Sequence, residues 1–373
     1  RGIRKASDFL MALQLTGAAK KTSLANLQIR LPVVVVGGGL TAIDTATEAL
    51  AYYPIQVEKV LDRVEKLGEA AALSRMDEEE KGILREFLEH GRAVRAERAR
   101  AKAAGEAPDF AKLCRAWGGS TIAYRKQLSD APAYRLNHEE VEKAFEEGIR
   151  FAENLVPTEA VPDKFGALEA VKFKAADGRQ VVLPARTLLV AAGTSPNTIY
   201  EREHPGTFSL DAKKQFFKPH RVENGKPVPA GPGETGFFTS YEKDGHLVSY
   251  YGDNHPTYAG NVVKAMASAR DGYRQVVALF PHLVPAPELE RDGKLKKLFA
   301  TLDTLLLPTV HAVYRLTPTI VELVLKAPMA ARSFEPGQFF RLQNYERLAP
   351  EVDGHRLALE GIALTGAWVD KEK

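Results

Sequence analysis

Apolar and polar positions along the chain change period several times, and the changes mark a succession of elements. Ala6 to Leu15 places apolar side chains at helical spacing and a polar connector follows, which predicts a short helix and a linker. Leu31 to Val36 is apolar on both faces, as a strand inside a parallel sheet must be. Gly37-Gly38-Gly39 interrupts it, and a long helical pattern begins at Thr41. That pattern runs on past Pro54, because Val57, Val60, Leu61, Val64 and Leu67 recur at spacings of three and four rather than two. Glu78 to Lys102 is densely charged with Leu84, Phe87 and Leu88 on one side, so residues 55–119 read as a helical insertion. A solvated hairpin without chemistry is its plain interpretation. Ser120 to Tyr124 resumes a strand pattern, and Asn137 is a candidate N-cap for a helix over His138 to Glu147, with Glu140 three residues on. Strands are expected over Val161 to Lys174, broken around Asp163 to Gly166, and over Gln180 to Val190, after which Ala191-Ala192-Gly193 turns the chain.

This order predicts an α/β protein whose residues 32–195 form a Rossmann-like, doubly wound NAD(P)-binding domain carrying the insertion at 55–119. Residues 1–31 read as an N-terminal segment and linker, and 196–285 as a further piece in which Tyr250-Tyr251-Gly252-Asp253 precedes a small-residue helix from Ala259 to Arg270. After the proline-punctuated stretch Pro281 to Pro287, Val310 to Val324 and Gly337 to Gln343 alternate in strand fashion, so 300–373 reads as the start of a β-barrel. A length of 373 residues suits this division into two or three domains.

Composition narrows the function. With 45% hydrophobic and 27% charged residues and no apolar run near the roughly 18 residues a bilayer needs, a soluble chain with no membrane partner is expected. The net charge is only +3 and the basic residues are interspersed with Glu, which disfavours nucleic acid. Cys114 is the single cysteine, so an internal disulfide, a CxxC pair and a cysteine-held iron-sulfur or zinc site are excluded within these residues. Redox chemistry would have to use a bound organic cofactor. A reducing, cytoplasmic setting fits, Arg1 to Leu15 lacks the features of a signal peptide, and the missing initiator Met points to a chain that begins mid-protein.

Gly37-Gly38-Gly39-Leu40-Thr41-Ala42 satisfies GxGxxA directly after a buried strand and before a helix. Gly37 would make the tight turn, Gly39 would admit a pyrophosphate to the backbone amides, and Ala42 would let helix and sheet pack closely. The second strand ends in Tyr124-Arg125-Lys126 rather than in the acid that binds a ribose 2'-hydroxyl. Arg125 can pair bidentately with a 2'-phosphate and Lys126 adds charge, which favours NADP(H) over NAD. Two alternatives stand beside this: exposed basic residues at a strand end, or Val57 to Leu61 as second strand, which would put Asp62 in the NAD-type position. No catalytic triad, HExxH or paired-carboxylate pattern stands out, and His255 and His311 read as structural or solvated. No catalytic or metal-ligating residue is assigned; hydride transfer needs alignment more than a protein acid or base.

In these residues the chain resembles the small subunit of glutamate synthase and its relatives among the pyridine nucleotide oxidoreductases. The resemblance rests on GGGLTAID at Gly37 to Asp44, TIAYRK at Thr121 to Lys126, EEVEKAFEEGIRF at Glu139 to Phe151 and VAAGTSPN at Val190 to Asn197, roughly 200 residues in all. It implies that Ala192 and Gly193 belong to a hinge returning to an FAD domain. It further implies that Tyr251-Gly252-Asp253 and AGNVVKAMASARDG at Ala259 to Gly272 are that domain's last motif, with Asp253 on the flavin ribityl chain and the amides of Gly260 and Asn261 facing the isoalloxazine. The family's first FAD glycine motif and its iron-sulfur cysteines are absent here, and the 55–119 insertion is unlike the usual subunit. VYRLTPTIVELVL at Val313 to Leu325 with FEPGQFFRL at Phe334 to Leu342 resembles the opening of a ferredoxin-NADP reductase-like flavin barrel, although no arginine-aromatic-Ser motif follows. The resemblance thus implies part of a multidomain NAD(P)H:flavin oxidoreductase that binds NADPH and passes hydride to FAD. Upstream FAD and iron-sulfur domains and an electron-acceptor domain or subunit would be its partners, and this piece would be silent alone. The competing expectation is a non-catalytic, nucleotide-sensing or partner-docking module.

Overall fold

The computed structural model describes residues 1–193, 195–260, 262–283, 291–359 and 361–372. Two compact units emerge, Arg1–Gly193 with Glu335–Trp368 and Thr194–Phe334 with Val369–Lys373. Among the described residues no helix is long and apolar enough to cross a membrane.

The first unit is built on β1 (Ile3–Lys5), β2 (Val33–Val36), β3 (Ser120–Ala123) and β4 (Arg150–Ala152); an antiparallel meander of β5 (Leu155–Pro162), β6 (Leu168–Ala175) and β7 (Gln180–Pro184) then leads to β8 (Thr187–Val190). Five of these strands form one sheet in the order β1-β8-β2-β3-β4, every pairing parallel. Alternation along each strand decides what covers which face. Val33, Val35, Ile122 and Leu189 enter a core shared with helices, whereas Val34, Ala123 and Leu188 pack with Leu155, Val171 and Phe173 of the meander. The α/β class is as expected, with helices on one face of the sheet and the three-stranded meander on the other. Each fully buried Val, Leu or Phe contributes on the order of 1.5–3 kcal/mol.

The helices of this unit are α1 (Ala6–Leu15), α2 (Leu40–Leu67), α3 (Glu69–Leu73), α4 (Glu78–Ala104), α5 (Phe110–Ala116), α6 (Pro132–Leu136) and α7 (His138–Glu146). Residues 1–31, read from sequence as an N-terminal segment and linker from the FAD-binding domain, are built into this sheet and its core. β1 is its edge strand, and α1 buries Phe9, Ala12 and Leu13. The connector is pinned to α2 by side chains that replace ladder partners: Gln56 accepts from Ile29 N–H and donates to Ile29 C=O, both at 2.8 Å, and the Tyr52 hydroxyl accepts from Leu27 N–H at 3.0 Å. An edge strand of three residues carries too little periodicity to be seen in advance.

α2 is one helix through Pro54, as the spacing indicates, and α4 packs antiparallel to its second half. Gly91 of α4 permits this approach, since a Cβ there would lie 2.7 Å from the Val57 carbonyl oxygen. Leu61, Val64, Leu84 and Leu88 fill the seam, and Asp77 with Glu80 forms a capping box at the start of α4. At α7 the expected cap takes another form: Asn137 occupies the N-cap, but its amide donates to the Glu140 carboxylate at 2.7 Å and caps no backbone amide.

The second unit contains α8 (Ile199–Glu203) and an antiparallel sheet of β9 (His220–Glu223), β10 (Lys226–Pro229), β11 (Phe238–Lys243) and β12 (His246–Ser249) in the order β10-β9-β11-β12. α9 (Val262–Val277), α10 (Arg291–Leu306), the hairpin of β13 (Thr309–Arg315) with β14 (Val321–Lys326) and α11 (Pro328–Arg332) follow. Two further pairs, β15 (Phe339–Leu342) with β18 (Ile362–Thr365) and β16 (Glu351–Val352) with β17 (His355–Arg356), belong to the first unit. The barrel start read into 300–373 is therefore three separate two-stranded pairs among the described residues. In β13 only Ala312 is even partly buried.

Candidate dinucleotide-binding site

Val36 is the register partner of both Ala123 and Val190, so β2, β3 and β8 end at one level. Gly37, Tyr124 and Ala191 come next, side by side at the carboxyl edge of the sheet. The strand order also turns here, with β8 on one side of β2 and β3 and β4 on the other. Open α/β sheets take their ligands in the crevice outside the carboxyl ends at such a reversal.

The three glycines have different reasons to be there. Gly37 N–H donates to Ala123 C=O at 3.1 Å, and a Cβ on Gly37 would lie 2.3 Å from the Ala191 carbonyl oxygen. On Gly38 a Cβ would stand 2.5 Å from the ring of Tyr124. Gly39, the N-cap of α2, is extended at φ −91° and ψ 174°, and a Cβ there would meet nothing within 4 Å. Open space thus fronts the α2 N-terminus, where the amides of Leu40 and Thr41 have no carbonyl one helical turn back to receive them. Ala42 is fully buried and its N–H donates to Gly39 C=O at 2.9 Å. The acidic side chains begin further along the helix, where burial, then Glu140 and Glu48, raise the Asp44 carboxyl above its usual range.

Arg125 and Lys126 follow β3, both exposed, and among the described residues neither side chain makes a hydrogen bond or ion pair. Val57 to Leu61 lies inside α2, and Asp62 pairs with Arg95 at 2.6 Å. The NAD-type alternative therefore loses its strand. Ala192 and Gly193 are exposed beyond β8, Gly193 at φ +101°.

Two contributors to this edge had no place in the sequence reading. Tyr124 lays its half-buried ring against Gly38, and Ala133 N–H of α6 donates to Gly38 C=O at 2.9 Å. Pro132 at the first position of α6 was the available signal for a helix there.

The remaining predicted contacts belong to the second unit. Gly252, at φ +71°, opens a short turn and its N–H is taken by Ser268 Oγ at 2.8 Å. Asp253 is exposed, as is Gly260, at φ +88° with open space beside it. Asn261 lies outside the described residues. His311 is exposed in β13, whereas His255 is fully buried: Nε2 donates to Gly236 C=O at 2.9 Å and Nδ1 accepts from Thr257 N–H at 3.2 Å. That pairing requires the neutral ring. Burial accordingly holds its pKa below the ordinary 6.5, and acts in the same direction on His220 and His90. The unfolded chain takes up these protons first, so stability is fully present above about pH 6.5 and falls as pH drops toward the folded-state values. Urea midpoints should be lower at pH 5.5 than at 7, and His255→Gln should flatten that decline. An equal midpoint at 7 and 5.5 would contradict this account.

No family model matches the chain. An uncharacterized protein of Rickettsia prowazekii (strain Madrid E) is 34% identical over 377 residues, a match covering 100% of this chain and 46% of that protein. The chain thus spans about half the length of the curated relative it matches. Among solved structures, the thioredoxin reductase of T. acidophilum superposes with a TM-score of 0.35 and 14% identity, over 66% of this chain and 51% of that one. Bacillithiol disulfide reductase Bdr from Staphylococcus aureus gives 0.34 and 13%, over 67% and 51%.

Proposed function

We propose that the first unit binds NADP(H) and that the chain serves a flavin-dependent oxidoreductase as the part that holds the nicotinamide cofactor. The observation that carries this reading is the level ending of β2, β3 and β8, which sets an open helix N-terminus one strand away from two unpaired cations. The amides of Leu40 and Thr41 would donate to the pyrophosphate past Gly39, with Gly37, Gly38 and Ala42 keeping turn, sheet and helix close enough for it. Arg125 would grip the 2'-phosphate through its fork of donors, with Lys126 adding charge. Ala192 and Gly193 would border the cofactor on the β8 side. The bound nicotinamide supplies the hydride, and the residues of this chain bind and orient it.

Gly252, Asp253, Gly260 and Asn261 are proposed as flavin contacts. The Gly252 amide is already bonded to Ser268 Oγ, so it is not free for a flavin, and no step through flavin is assigned to this chain. FAD would be held mostly by sequence outside it, with iron-sulfur and electron-acceptor domains as further partners. Calorimetric titration tests the nucleotide site. NADPH should bind in the micromolar range, near −8 kcal/mol, and NADH at least about tenfold more weakly. Binding of neither nucleotide would defeat the proposal.

A further inference from the structure

A second cationic site lies on the far half of α2. A cavity of about 380 Å³ is lined there by Lys21, Lys59, Arg63 and Lys66, by Asp62 and Glu65, and by the turn carrying His355. It stands apart from the glycine turn, since Leu40 and Lys59 are separated by roughly 28 Å of helix. Cations outnumber acids among these side chains, and both acids are already held by Arg95, Asp62 at 2.6 Å and Glu65 at 2.8 Å. The cations are not so matched. Lys21 reaches only to 3.8 Å from a Glu58 oxygen, and Lys66 has no ion pair among the described residues.

Lys59 is the unusual member. Its side chain sits in the interior, with the residue 2% exposed, and its ammonium donates to Ala18 C=O at 2.7 Å and Ala25 C=O at 2.9 Å. Neither partner carries a countercharge, and a third N–H has no acceptor among the described residues. Arg63 likewise donates only to backbone, to Ser23 C=O at 2.6 Å and Leu24 C=O at 3.4 Å. A buried cation without an anion, as Lys59 is, is costly, and a dianion in the cavity would reduce that cost for it and for the partly buried Arg63. The volume exceeds one phosphate and suits a small molecule bearing one, because a water occupies about 30 Å³ of liquid.

We infer that this cavity binds a compact phosphate-bearing metabolite between Lys59, Arg63, Lys66 and Lys21, at a site separate from the nucleotide crevice. Burial, then Arg63, brings the Lys59 ammonium down to about 8. Of the other charged groups around it, Lys21 and His355 add no negative charge, and the acids Asp62, Glu65 and Glu58 are held by Arg95, Arg95 and Arg98. A bound dianion would therefore raise the Lys59 pKa, and phosphate binding at pH 8 should be accompanied by proton uptake.

The test is calorimetric titration of the 373-residue chain with inorganic phosphate at low salt, with and without saturating NADPH. Phosphate should bind in both conditions, with heats at pH 8 that depend on the ionisation enthalpy of the buffer. The surface double variant Lys21→Ala/Lys66→Ala, which keeps the hydrogen bonds of Lys59 and Arg63 and the Glu58–Arg98 pair, should weaken phosphate by about tenfold or more, and Arg125→Ala by less than about twofold. Lys59→Met should abolish binding where it folds, and the surface pair decides the question where it does not. Absence of phosphate binding, its loss with NADPH or Arg125→Ala, or its indifference to the double variant would overturn the inference. Failure here leaves the NADPH titration unaffected, so the two proposals stand or fall separately.

Discussion

Gly39→Val should leave the fold standing and weaken NADPH about 100-fold or more, whereas Gly37→Ala should fail earlier, in the fold itself. A Cβ at residue 37 would sit 2.3 Å from the Ala191 carbonyl oxygen, and that atom belongs to backbone tied to the sheet through the Ala191 N–H to Val36 C=O bond at 2.8 Å. Relief would need β2 and β8 to part at their ends, and overpacking of this kind costs on the order of 2–4 kcal/mol. At residue 39 the new atoms would enter empty space, on a backbone that β-branched residues readily adopt. The fold should lose only about 1 kcal/mol there, from a poorer N-cap. The added side chain would occupy the ground in front of the Leu40 and Thr41 amides. Thermal melts and NADPH titrations of the two variants separate the effects. A Gly39→Val chain that binds NADPH as the unaltered chain does would show that nothing docks at this helix end.

Where one pattern served one purpose, the sequence was legible. Val33 to Val36 is apolar throughout because both faces of the sheet are covered, and the change from that unbroken run to a period of three or four after Gly39 is the turn itself. The three- and four-residue spacing of Val57, Leu61 and Val64 held against Pro54, because Leu61 and Val64 pack with Leu84 and Leu88 of α4 while Val57 shares the main core with Phe87 and Val94. The β1 strand was invisible for the opposite reason: Ile3–Lys5 has neither length nor alternation, and only its pairing with Leu188 to Val190 makes it a strand. The expectation of an incomplete barrel rested on less. Alternation in Thr309–Arg315 was real, but alternation says only that two faces differ, not that one of them is enclosed.

Much the same division applies to the crevice. The glycines and the basic pair could be read because each stands beside a strand end in the sequence. The Tyr124 ring against Gly38 and the Ala133 amide on its carbonyl could not, since they depend on where α6 returns over the turn. These two contacts explain why Gly38 is buried while Gly39 remains open, and so why one glycine of the three is free to face a ligand.

Arg125→Ala should cost NADPH about 10- to 100-fold in affinity and change NADH by less than about threefold, since charge-assisted hydrogen bonds contribute roughly 1.5–3 kcal/mol. The reasoning begins with the side chain's lack of any present occupation: it is exposed, with no carboxylate or carbonyl partner among the described residues, so its removal breaks no contact of the fold. A loss of affinity would then report on the ligand, and on the part of the ligand that distinguishes the two nucleotides. Arg125→Lys should recover only part of the loss, because an ammonium keeps the charge but not the planar fork. Lys126→Ala should act more weakly and mostly at low salt, as an auxiliary charge in solvent does. The melting temperature should be unchanged in all three variants. Equal losses for NADPH and NADH in Arg125→Ala would remove the 2'-phosphate from the account and leave the glycine turn as a site without preference between them.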